Sequence, residues 1–256
     1  MKGRSLFYSL LVGFIVFLPF IPLVLWSFSE RWFFPSLIPQ SFGVRGWNYL
    51  FSTASHQFLR GLVDSFLIAF ITTIFSLILA IPSARSLSLK NFRMKSIILF
   101  LLILPVIVPP MTVSMGLHYW FIRLDLAEKL SGVILVHLSF TLPYAIFVLY
   151  GTFRDFNPDY ENQARSLGAT KLQTFIYVTL PLIRPGVIVA ALFSFLLSWS
   201  QYLSTLIIGG GKIITLPILL FALMDSGDRP VASVISLLFV LPAFLVLAIS
   251  SYSIGQ

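Results

Sequence analysis

Cysteine is absent from the 256 residues, and only 10% of them are charged. Without cysteine there is no disulfide framework, thiolate metal site or cysteine nucleophile. The scarcity of charge, against roughly 25% in an ordinary soluble domain, excludes a solvated globule. Catalytic signatures are missing too. No HExxH pair, GxSxG elbow or paired Asp lies in an apolar segment. The stretch Gly209-Gly210-Gly211-Lys212 has a phosphate-loop flavour, but Ile213 follows the Lys where Ser or Thr is needed and Leu206 replaces the first Gly. It reads as a flexible turn. His56, His118 and His137 are too scattered to suggest a metal cluster.

What is present is apolar. Hydrophobic residues make up 58% of the chain, Phe alone contributes 26, and mean hydropathy is +0.96. A soluble domain of this size would expose large apolar patches, and a disordered chain would be polar and poor in aromatics. The solvent implied is a lipid bilayer. A spanning helix needs about 20 mainly apolar residues. Six segments qualify: 6–28, 62–84, 96–118, 132–153, 187–208 and 231–253. The expected class is therefore all-α with six transmembrane helices. The first segment follows Lys2 and Arg4 and is longer than the roughly 7–15-residue core of a signal peptide, so it is expected to remain as a span, kinked at Pro19 and Pro22.

Net charge is +8. In a membrane chain this speaks first to orientation rather than to nucleic acid. With both termini cytoplasmic, the inner side carries Lys2, Arg4, Arg85, Lys90, Arg93, Lys95, Arg154, Arg165, Lys171 and Arg184, against three acids, Asp155, Asp159 and Glu161. The outer side carries seven basic residues and six acids. Both termini are accordingly placed inside.

Two connections are long. The outer one, 29–61, is rich in Trp and Phe and suits the interface as a lid or an interfacial helix. The inner one, 154–185, is more informative. Asn157 can cap a helix whose first turn holds Pro158, Asp159 and Glu161, and Gly168 is a fitting stop. Thr170 and Gln173 form a capping-box pattern that opens a second short helix, which Pro181 is expected to end. The turn presents Leu167, Ala169, Leu172 and Phe175, ringed by Arg165 and Lys171. These apolar side chains either plug a groove on another protein or pack against the ends of the chain's own helices.

Residues 161–185, ENQARSLGATKLQTFIYVTLPLIRP, resemble the EAA loop of type I ABC importer permeases. Gly168 matches the family glycine, Ala164 the third motif position, and Thr179-Leu180-Pro181 the closing LP. Asn162 and Gln163 stand where the family prefers Glu and Ala, with Glu161 displaced by one residue. Asp64-Ser65-Phe66-Leu67-Ile68-Ala69, Leu104-Pro105, Pro109-Pro110, Thr141-Leu142-Pro143-Tyr144 and Ser198-Trp199 extend the resemblance from about residue 62 onwards. In detail it is most similar to the polyamine, opine, phosphonate and ferric-iron group.

The resemblance implies a MetI-like fold: a first helix and outer loop (1–58), then a five-helix core (59–256) carrying the coupling loop at 154–185. It implies a bacterial inner-membrane location, a second permease subunit, identical or a sister chain, and a periplasmic or lipid-anchored solute-binding protein. It also implies two ATPase subunits that bind ATP and Mg, with no cofactor in this chain. By the same resemblance the ATPase-coupling residues are Glu161, Asn162, Ala164, Arg165, Leu167, Gly168, Ala169, Leu172, Phe175 and Pro181.

Candidate translocation residues are Asp64, Ser65, His118, Ser198, Trp199, Ser200, Gln201 and Tyr202. An ionisable group inside a span is a functional suspect. Asp64 would favour a cationic solute such as a polyamine, or it pairs with Arg60 four residues earlier. The 198–202 stretch is a polar break in an apolar helix, lining the route or bonding across helices. His118 lines an outer vestibule or sits at the interface, and His137 is expected to be a packing histidine. The competing class is a self-contained secondary transporter or channel, whose intramembrane charges and inverted repeats are not visible.

Overall fold

The computed structural model describes residues 11, 13–15, 17–33 and 35–254, with side chains described as far as residue 246. The described chain forms two compact units. One comprises the described residues up to Leu62 with Leu216–Ala243, the other Val63–Thr215 with the chain from Phe244 onwards.

In the first unit, helix α1 (Phe20–Ser27) leads into a short antiparallel pair, β1 (Ser29–Arg31) and β2 (Ser41–Phe42), then into α2 (Arg45–Asn48) and a π-turn at Tyr49–Thr53. Trp26 stacks on Trp32 at 4.3 Å and Arg229 lies over Trp26 at 5.3 Å. Arg45 pairs with Asp228 at 2.6 Å. The aromatic connection 29–61 is thus a small folded layer, and Leu50, Phe58, Val231 and Val234 of this unit are buried. Helix α3 (Ser55–Leu89) begins in this unit and runs through the second.

The second unit holds α4 (Lys95–Ile107), α5 (Pro110–Arg123), α6 (Leu130–Arg154), α7 (Asp159–Ser166), α8 (Lys171–Thr174), α9 (Leu180–Trp199) and α10 (Leu203–Gly209). The chain continues with α11 (Leu216–Asp225) and α12 (Arg229–Ile254), which belong to the first unit as far as Ala243. One core, near the 154–170 loop, gathers Ala80, Ala84, Leu87, Ile146, Leu149, Phe153, Ile183 and Ala190. A second, at the opposite end, gathers Ile68, Phe121, Val133, Val136, Phe140 and Ile208. Small residues let the helices approach closely, as in membrane bundles. A Cβ built on Gly186 of α9 would lie 2.0 Å from Thr152 Oγ1 of α6, so glycine is required there.

Among the described residues four helices are long and apolar enough to cross a membrane: Ser55–Leu89, Leu130–Arg154, Lys171–Trp199 and Arg229–Val246. The pair α4 and α5 makes a fifth if counted as one. Of the expected span 6–28, residues 6–10, 12 and 16 lie outside the described residues; the described remainder is helical around a turn at Leu18 and Pro19, after which α1 begins.

Two expected spans need correction. Segment 96–118 is not one straight helix: α4 and α5 meet at 103°. Val108 precedes Pro109, which itself precedes Pro110, and a residue before proline is pushed out of the helical region. Both are extended, with ψ of 136° and 131°. Segment 187–208 is displaced. The long helix runs from Lys171 to Trp199, and the chain breaks at residues 200–202 before α10. Pro181 does not end the second loop helix. A π-turn at Phe175–Thr179 joins α8 to α9, and Pro181 sits in the first turn of α9, where its missing N–H is tolerated.

Candidate functional site

Two places singled out by sequence lie in the second unit. The first is the 154–185 loop. Asn157 Oδ1 accepts the Asp159 N–H at 2.9 Å, starting α7 as its side-chain chemistry suggests. Gly168 closes α7 with φ +91°, a conformation that suits glycine. The capping box then forms: Gln173 N–H donates to Thr170 Oγ1 at 3.3 Å, and Thr170 N–H donates to Gln173 Oε1 at 2.9 Å.

The turn so built is turned outward. Leu167 is 90% exposed and Leu172 68%, while Ala169, Ala164 and Phe175 are half-buried. Asn162, Arg165 and Pro181 are exposed. Of the two readings open from sequence, packing of Leu167 and Leu172 against the chain's own helix ends is excluded by that exposure.

Glu161 goes the other way. It is 5% exposed. Its Oε2 takes an ion pair from Arg85 Nη2 at the far end of α3, with Arg165 Nη2 at 3.8 Å. Its Oε1 accepts the Thr179 hydroxyl at 2.6 Å. A buried carboxylate is tolerated only when paired and hydrogen-bonded in this way. Neither Arg85 nor Thr179 was singled out as its partner by sequence, because they lie 76 and 18 residues away. One signal was available: Arg85 stands between Ala84 and Leu87 on a helix that buries both.

The second place is the break after α9. Ser198 and Trp199 are buried, Gln201 and Tyr202 half-buried and Ser200 exposed. His137 of α6 is 1% exposed. Its Nδ1 bonds Ser198 Oγ at 2.8 Å, and its Nε2 bonds Thr205 Oγ1 of α10 at 2.8 Å. The imidazole thus bridges the two helices across the break. Ser204 Oγ donates to Gln201 Oε1 at 2.6 Å, and Thr205 Oγ1 donates to the Gln201 carbonyl at 3.0 Å. The expected packing histidine is the staple of the break.

The remaining candidates stand apart. Asp64 is half-buried and Ser65 buried on α3, and both engage neighbours. His118 is half-buried near the end of α5. Beyond α10, Lys212 Nζ pairs with Glu128 Oε2 at 2.5 Å. The Lys212 hydrogen bond and then its charge hold the Glu128 carboxyl below its ordinary range, with a smaller charge contribution from His118. The glycine turn after α10 is therefore clasped to the 124–129 loop, where Glu128 N–H also donates to Ile208 O at 2.7 Å.

Long apolar helices, a break stapled by a buried histidine and a turn with exposed leucines define a multi-span membrane protein. Comparison with known proteins makes this specific. The chain belongs to the family of binding-protein-dependent transport system inner membrane components, whose model matches residues 73–255. It is 32% identical over 212 residues to the molybdenum transport system permease protein ModB of Mycobacterium tuberculosis, covering 77% of this chain and 79% of that one. It is 29% identical over 226 residues to the trehalose transport system permease protein SugB of the same species, covering 84% and 80%. Among solved structures, a bacterial ABC transporter involved in the import of the acidic polysaccharide alginate superposes with a TM-score of 0.74 at 16% identity, covering 98% of this chain and 96% of that one. The expected class, an ABC importer permease subunit, holds. The polyamine group is not singled out: relatives also include a spermidine/putrescine permease homologue of Mycoplasma genitalium, 28% identical over 158 residues and covering 60% of this chain and 56% of that one.

Proposed function

We propose that this chain is one of two permease subunits of an ATP-driven importer in a bacterial inner membrane, with both termini cytoplasmic. Two ATPase subunits bind ATP and Mg on the cytoplasmic side. A periplasmic or lipid-anchored binding protein delivers the solute from outside. The 154–185 loop is the EAA-type coupling loop, and Leu167 and Leu172 enter a groove on one ATPase. The observation that carries this reading is the exposure of those two leucines, 90% and 68%, on a turn whose backbone is fixed by a glycine stop and a capping box. Exposed leucines held on a rigid turn suit insertion into a partner groove.

The solute passes near Asp64, Ser65, His118 and the 198–202 break. It is small and charged. The Asp64 carboxylate favours a cation, of which a polyamine is the nearest chemical fit. The test is uptake by the complex purified from its native host and reconstituted, with spermidine, molybdate and trehalose offered in turn. Uptake of spermidine that falls on Asp64→Asn supports the cation reading, and uptake of molybdate alone overturns it. Gly168→Val, which forces a β-branched residue into φ +91°, is expected to abolish uptake while the chain still inserts. Unaltered uptake would sink the coupling role.

A further inference from the structure

The carboxylate of Glu161 divides its two oxygens between two different spans. Oε2 is held by Arg85, on the last turns of α3, and Oε1 by Thr179, the last residue of the π-turn before α9. Asp159, in the same first turn of α7, is exposed. Helix-dipole stabilisation alone would leave Glu161 exposed as well. Its burial instead requires partners that compensate the lost hydration.

The geometry points to an internal strut: Glu161 fastens α7 to α3 and to α9, so that a push on the 167–172 turn moves both spans together. This rests on the coupling reading above and adds the route by which the stroke enters the membrane helices. Glu161 acts through Arg85 and Thr179 and is a positioning residue. The ATPase is met by Leu167 and Leu172, not by Glu161.

The charges around it give the strut a fingerprint. Arg85 and Arg165 share one carboxylate oxygen. Removing the Glu161 charge leaves two guanidinium groups facing each other without an anion. Removing Arg85 leaves Arg165 to take over part of the pairing. Glu161→Gln is therefore the more damaging change. Thr179→Ser keeps the hydroxyl and retains transport, whereas Thr179→Val does not.

The experiment uses the whole transporter, purified with its ATPase and binding protein and reconstituted, reading solute uptake, ATP hydrolysis and ATPase retention. Glu161→Gln is expected to cut uptake about tenfold and Arg85→Ala about threefold, in the range of ordinary coupling effects between sites. The ATPase stays bound in both and hydrolyses ATP without responding to solute. The cysteine-free chain allows a decisive arm. The double variant Arg85→Cys with Glu161→Cys loses uptake, and a short bifunctional thiol reagent restores it where a monofunctional one does not. The strut is overturned if Glu161→Gln transports normally, if it releases the ATPase, or if cross-linking leaves the double variant inactive. If the double variant does not accumulate in the membrane, the order of the Gln, Ala, Ser and Val variants decides. Leu172→Asp separates the two ideas. Should it keep the ATPase bound, the coupling reading itself falls; should it lose the ATPase while Glu161→Gln transports, only the strut falls.

Discussion

The 154–185 loop and the break at residues 200–202 carry the same kinds of residue arranged inside out. At the break, polar side chains face inward and satisfy one another, His137 holding Ser198 and Thr205 across two helices. On the loop, apolar side chains face outward and the polar anchor, Glu161, is buried. The first is a structure closed on itself. The second leaves its leucines exposed, which under the proposed function is where the ATPase binds. Mutations should therefore act in opposite currencies, stability at the break and association at the loop.

The sharpest way to break that comparison is Leu167→Asp with Leu172→Asp. Both positions are exposed, so thermal stability in detergent should change by less than about 0.5 kcal/mol. Retention of the ATPase should drop at least about tenfold, as for hot-spot residues, measured by co-purification. A large loss of stability would mean that the leucines are structural after all. His137→Ala should do the converse. It leaves the buried Ser198 hydroxyl without its partner, at a cost of about 1–3 kcal/mol, while Thr205 keeps its bond to the Gln201 carbonyl. Detergent melting should fall clearly while ATPase retention is unchanged.

The smallest effect belongs to the Lys212–Glu128 clasp. Lys212 holds the Glu128 carboxyl below its ordinary range. The pair therefore contributes above the ordinary carboxylate pKa and is lost as pH falls through the lowered value. Both partners are exposed and screened by salt. The melting difference between the parent and Lys212→Met should be slight at pH 7 and shrink as the pH is taken below the ordinary carboxylate range.

What was legible in the sequence was local. The Asn157 start, the Gly168 stop and the Thr170–Gln173 box each depend on residues within one turn of each other, and all three form. Span 132–153 was found within two residues, as Leu130–Arg154, because no Asp, Glu, Lys or Arg interrupts it. What sequence missed was set by distance or by backbone detail. Arg85 finds Glu161 only once α3 and α7 are brought together. His137 was legible as a packing residue but not as a bridge, because Thr205 lies beyond the break. Pro181 looked like a stop because a π-turn leaves no mark in composition. The double proline at 109–110 was noticed, but its effect, two consecutive extended residues and a 103° bend, follows only from the backbone angles.

The π-turn has one further consequence. Along the long helix one buried stripe runs through Thr174, Thr179, Ile183, Gly186, Ala190, Ser194 and Ser198, with Phe195 and Trp199 buried beside its end. Every step after Thr179 is three or four residues, the repeat of an α-helix. The step from Thr174 to Thr179 is five. The wide turn has absorbed one surplus residue and kept the inward stripe in phase on both sides of it. Deleting Ile176 or Tyr177, both solvent-facing, would return the step to four and preserve the phase. A deletion at any position between 184 and 197 would rotate the remainder of the helix by about 100° relative to its neighbours. Tolerance to length change is therefore concentrated in the turn.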